Sequence, residues 1–133
     1  MHLLANYPFL RLYLLQAGER RALEAEWLGH ASSEQRRAAL NEALQLAREH
    51  RVGAWVADDR LLGHVPAADL EWAASVLMSS FVECGIKRMA VVEAVTPLSQ
   101  RLIHDSMNQV MPTLPIALRR FTELIAARHW ALQ

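Results

Sequence analysis

The stretch V-G-A-W-V-A-D-D-R, residues 52–60, decides the fold. Val52 to Ala57 is an apolar run without polar alternation, the pattern of a parallel strand covered on both faces. It stops abruptly at Asp58, Asp59 and Arg60. A loop through Gly63, His64 and Val65 then meets Pro66, whose fixed φ and missing N–H suit a first helical turn, and Asp69 follows to complement the helix dipole. A strand has handed over to a helix, and the rest of the chain can be read outward from that junction.

From Leu70 to Cys84 the helix carries only two charged side chains, Glu71 and Glu83. Leu70, Ala73, Ala74, Leu77 and Phe81 make one stripe, while Trp72, Val76 and Met78 fall on other faces. A helix that is apolar nearly all round must bury more than the stripe facing its own sheet. Three covers are open at this point: a neighbouring helix, a second subunit, or an apolar ligand.

Upstream, Phe9 to Leu15 and Arg21 to Leu28 read as strands of a hairpin joined by Q-A-G-E-R, with Gly18 supplying turn geometry. In the second, Leu23, Ala25 and Trp27 alternate with Glu24 and Glu26, which suggests one inward face. S-S-E-Q then forms a capping box, Ser32 at N-cap and Gln35 at N3, and opens an amphipathic helix on Leu40, Ala43, Leu44 and Ala47.

Downstream, Met89 to Val92 form another buried parallel strand. Thr96 and Pro97 open a helix with Leu98, Leu102, Ile103, Met107 and Val110 inward. Pro115 to Phe121 reads as an edge strand, and Thr122 caps a last helix on Leu124, Ala127, Trp130 and Ala131. The order is β-β-α-β-α-β-α-β-α. It implies an α/β fold whose sheet is mixed but mostly parallel, with right-handed crossovers and an antiparallel first strand.

The chain has 133 residues, the size of one domain spanning 1–133. Lys plus Arg and Asp plus Glu balance at 14 each, so no overall field draws nucleic acid or an anionic membrane. The single cysteine, Cys84, allows no internal disulfide and fits a reduced, cytoplasmic setting. The apolar N-terminus lacks a basic leader and is broken by Pro8 and Arg11, so neither a signal peptide nor stable membrane insertion is expected.

Several segments together resemble small bacterial STAS-like proteins, relatives of the anti-sigma-factor antagonists that share topology with lipid-carrying CRAL-TRIO domains. They are L-E-A-E-W-L-G (23–29), A-W-V-A-D-D-R (54–60), D-L-E-W (69–72), K-R-M-A-V-V (87–92) and R-F-T-E-L-I-A-A-R-H-W-A-L (120–132). The resemblance implies a non-enzymatic domain, often dimeric, with apolar-ligand binding. The phosphorylatable hydroxyl of that family, placed after the central strand, is missing here, where residues 58–63 read D-D-R-L-L-G. The phospho-switch is therefore not carried over.

Ligands of open α/β sheets bind outside the carboxyl ends of the strands. Asp58, Asp59, His30 and His64 could meet there as a metal or acid/base site, but their spacing fits no ligand motif. The structural alternative has Asp58 capping a loop or helix while Asp59 or Arg60 forms an ion pair. There is no phosphate loop, Walker sequence or G-x-S-x-G, and Ser99, Ser106, His104 and Asp105 are too close in one helix to form a triad. No enzyme activity, cofactor or metal is expected. Trp72, Val76, Met78 and Phe81, with Asp58 and Arg60 at the strand end, are the candidate binding residues. They would hold a small apolar, lipid-like ligand under the 66–84 helix or, alternatively, seal a homodimer or a regulatory protein partner.

Overall fold

A computed structural model describes residues 1–133. Six strands run in spatial order β1-β2-β3-β4-β5-β6: β1 (His2–Asn6), β2 (Leu10–Ala17), β3 (Arg20–Trp27), β4 (Ala54–Asp58), β5 (Arg88–Val92) and β6 (Ala117–Phe121). The first three are antiparallel neighbours, and β3 to β6 pair in parallel. The fold is thus α/β, with a six-stranded mixed sheet and four helices. One strand was not expected. β1 adds to the free edge of β2, with a register irregularity between Leu3 and Ala5.

The parallel strands are joined by α1 (Ser33–Glu49), by one long helix, and by α4 (Pro97–Val110). The long helix is α2 (Ala67–Trp72) and α3 (Met78–Cys84) joined through a π turn at Ala73–Leu77. It ends at Gly85, where a φ of 84° lets the chain leave in the left-handed region. The capping box at Ser32 and Gln35 is present as read from sequence. The last helix, α5 (Leu124–Ala131), starts after Glu123 rather than directly after Thr122.

Strand alternation sorts the core into two layers. Leu12, Leu23, Ala25, Trp27, Trp55, Ala57, Met89 and Val91 face α1, the long helix and α4. Ala22, Ala54, Val56, Ala90 and Val92 face the other way, onto Ala127 and Ala131 of α5. Because α5 closes that second face, Glu24 is not the solvent-facing residue that its alternation suggested. It is wholly buried, and Arg128 of α5 clasps both its oxygens at 2.6 and 2.8 Å.

Two other expectations are corrected. Leu98 and Leu102 of α4 were expected inward but are 66% and 38% exposed, while Ile103 and Met107 turn toward the core. The reason is what α4 packs on. It lies along α2 and the π turn rather than flat on the sheet, so its inward stripe is narrower than a sheet-facing helix needs. Asp69 does more than complement a dipole. It is buried and accepts hydrogen bonds from Ser33, Arg36 and Arg37 of α1.

Candidate functional site

The cover of the apolar helix is intramolecular. α1 lies against α3, α4 against α2 and the π turn, and the sheet lies beneath, so Phe81 and Met78 are fully buried. Phe81 meets Trp55 of β4 with ring centroids 4.5 Å apart. The packing is not complete. Between the long helix, the sheet and α4 lies a cavity of about 90 Å³, and fifteen of its eighteen lining residues are hydrophobic.

The π turn sits in the wall of this cavity and supplies Ala73 and Leu77 to it. A π turn inserts one residue into the helical repeat and turns the following side chains by about a quarter of a turn or more. Its displaced carbonyls find local donors: Ser75 Oγ bonds the Glu71 carbonyl, and Ser79 Oγ the Ser75 carbonyl, each at 2.8 Å. Ser106 of α4 reaches the Leu70 carbonyl at 3.3 Å and ties the outer wall to the helix. Trp72 lines the cavity while the Arg37 guanidinium stacks over its ring at 5.3 Å.

Three polar side chains interrupt the apolar wall: Arg36, Asp59 and Asp69. Arg36 is buried, ion-paired with Asp69 and bonded through Nη2 to the Ala31 carbonyl at 2.9 Å. Its Nε–H has no partner. Burial alone would raise the Asp69 carboxyl, but Ser33, Arg36 and Arg37 together hold it below the usual carboxylate range. Asp59 has no such help. Burial, with a smaller push from Asp58, raises its carboxyl from 3.8 to about 7.

Of the residues expected to bind, Trp72, Met78 and Phe81 come together on the cavity. Val76 does not, being 49% exposed on the helix's outer side. Asp58 and Arg60 lie on the opposite face of the sheet and satisfy each other. Arg60 donates from Nε and Nη2 to the two Asp58 oxygens at 2.8 and 2.7 Å, and its backbone N–H donates to Asp58 Oδ1 at 3.3 Å, so Asp58 caps the loop that follows β4 as well as pairing with Arg60, and caps no helix. Of the two adjacent aspartates it is Asp59, which makes no ion pair, that reaches the cavity. Strand alternation carries the signal for this, since residues 55, 57 and 59 share a face. Arg36 and the π turn leave no comparable mark in the sequence.

His30 and His64 are exposed, and no group of three or more His, Cys, Asp or Glu side chains is arranged to hold a metal ion. His104 of α4 places its Nε2 3.5 Å from Glu93, and neither residue lines the cavity. No helix is long and apolar enough to cross a membrane. In comparison with known proteins, the chain matches no family model and no curated protein.

Proposed function

We propose that this chain is a non-enzymatic, cytoplasmic binding or regulatory module of STAS-like type that holds a small apolar molecule beneath the 66–84 helix. The observation that carries the reading is the cavity of about 90 Å³, walled by Trp27, Trp55, Trp72 and Phe81 and crossed by a π turn. A void of that kind forfeits dispersion contacts on every wall, a cost that a bound apolar molecule recovers. The sequential sheet, with its connecting helices on one face, is compatible with the STAS-like resemblance.

Native mass spectrometry on protein purified without detergent tests this. An adduct that disappears under denaturing conditions supports it, and bare protein that also fails to take up added small apolar molecules refutes it.

The homodimer reading draws on a separate observation. Leu61, Val95, Leu98 and Leu102 are exposed near the carboxyl ends of the strands, and Val76 is exposed on the long helix. Phe81 and Met78 are occupied inside the fold and cannot form that interface. Light scattering across a dilution series, with Leu98→Glu and Val76→Glu, is the measurement that separates a dimer from a monomer.

A further inference from the structure

Two groups in the cavity wall are incompletely matched, the Arg36 Nε–H, which has no hydrogen-bond partner, and the Asp59 carboxyl, which makes no ion pair, and they ask for different things. The Arg36 guanidinium already has Asp69 as its counter-ion and the Ala31 carbonyl as an acceptor. Asp59 is 6% exposed and has no counter-ion. The adjacent Arg60 has turned to the other face of the sheet, where it is committed to Asp58.

The surroundings of Asp59 narrow the choice of ligand. Trp27, Trp55, Trp72 and Phe81 line the same cavity, and aromatic faces attract cations most strongly where water is excluded. A carboxylate ligand could accept from the Arg36 Nε–H but would bring a second negative charge into the wall that holds the Asp59 carboxyl. A neutral alcohol would satisfy one hydrogen bond and leave the missing counter-ion missing.

We infer that the cavity takes a small organic cation, an alkylammonium, with its ammonium on the Asp59 carboxylate and its apolar body against the aromatic wall. This rests on the ligand-holding reading above and specifies its chemistry. Size limits the body. A cavity of about 150 Å³ accommodates the six heavy atoms of benzene, so the space here suits about four heavy atoms, and a fifth requires α4 to move slightly outward.

The other charged groups around Asp59 do not remove the need for a cation. On its own strand, Asp58 is neutralised by Arg60. Glu93 and His104 face each other beyond the end of β5, and Arg120 of β6, which lines a smaller neighbouring pocket with Asp59, is bonded to the neutral Asn108 amide at 3.0 Å and makes no ion pair with Asp59. At the α1–α2 side of the cavity Arg36 and Arg37 share the Asp69 carboxylate, and neither makes an ion pair with Asp59. An ammonium favours the charged carboxylate, so its binding displaces a proton from Asp59. Affinity must therefore rise as pH rises through about 7 and then level off.

Isobutylamine, isobutanol and isopentane are near-isosteres differing in one head group. Their affinities can be read from the tryptophan indole N–H signals by NMR titration. The amine is expected to bind at least about tenfold more tightly than the alcohol above neutral pH, and to weaken by about tenfold per pH unit below 7. Asp59→Asn should erase that advantage while isopentane still binds, and His104→Gln should leave the pH profile in place. The wild-type profile decides the matter even if Asp59→Asn does not fold.

Alcohol or alkane binding as tightly as the amine, or amine affinity falling as pH rises, overturns the cation assignment and leaves the ligand-holding reading intact. Failure of all three probes to bind, together with a native mass spectrum free of adduct, overturns both.

Discussion

Asp58 and Asp59 are adjacent in the chain and sit on opposite faces of the sheet: Asp58 is clasped by Arg60 at 2.7 and 2.8 Å, while Asp59 lines an apolar cavity with no cation of its own. Strand alternation imposes the division, and it gives two chemically identical side chains opposite electrostatic roles. One is engaged by an arginine. The other is driven toward its neutral form.

The first prediction concerns stability against pH. Asp59 is raised from 3.8 to about 7 in the fold, so the folded state holds this proton more tightly than the unfolded chain. Its contribution is full below about pH 4, declines as pH rises toward 7, and is gone above that. At about 1.4 kcal/mol per unit, the upper bound on the loss is roughly 4 kcal/mol. Urea unfolding of ligand-free protein across this range should show the decline, and Asp59→Asn should flatten it and stabilise the protein above pH 7. A variant with the wild-type profile would show that Asp59 does not cause it.

Much of this architecture was legible in the sequence because it rests on local signals. The unbroken apolar run in β4, the Ser32–Gln35 box and the Thr96–Pro97 start each carry their own mechanism. What was hidden depends on distant segments. Glu24 looks solvent-facing until α5, about a hundred residues later, brings Arg128 to it. His2 to Asn6 becomes a strand because β2 offers a free edge, since H-L-L-A-N has no strand pattern of its own. Three of the six candidate site residues reached the cavity because a helix apolar all round must cover something. Asp58, Arg60 and Val76 did not, because which face of a strand end or helix looks inward is settled by packing.

The Glu24–Arg128 pair yields a second prediction. Glu24 is fully buried while the Arg128 side chain is about 30% exposed, so truncating the arginine leaves a charged group inside the protein without its partner. Arg128→Ala is expected to cost about 3–5 kcal/mol in chemical denaturation. The double variant Glu24→Leu, Arg128→Met removes both charges and should recover most of that loss. A double variant no better than the single would mean that α5 is held by its apolar face alone.

Asp69 behaves in the opposite sense to Asp59. Its carboxyl is held below the usual range, so its contribution is present above about pH 4 and is lost as pH falls through its lowered folded value. Asp69→Ala strands Arg36, whose side chain is only 6% exposed, and should cost about 3–5 kcal/mol at neutral pH. Adding Arg36→Met to that variant should restore stability, because the buried charge then goes too. Thermal unfolding of the three proteins at one pH is sufficient. Equal losses in the single and double variants would locate the energy in the Ser33 and Arg37 contacts instead.

Filling the cavity separates ligand binding from folding. Ala73 lies on the π turn and lines the space, so Ala73→Leu places three further carbons into it. Burying them is worth up to about 2 kcal/mol, and strain from an imperfect fit takes back a similar amount, so the stability change should stay within about 1 kcal/mol. Uptake of any small apolar molecule should nevertheless fall at least tenfold, because the space it would occupy is gone. Val76→Leu enlarges a side chain on the exposed side of the same helix, by one carbon, and should alter neither stability nor uptake. Ligand retention undiminished in a well-folded Ala73→Leu protein would place the ligand on another surface, and the exposed leucines of α4 would be the next to substitute.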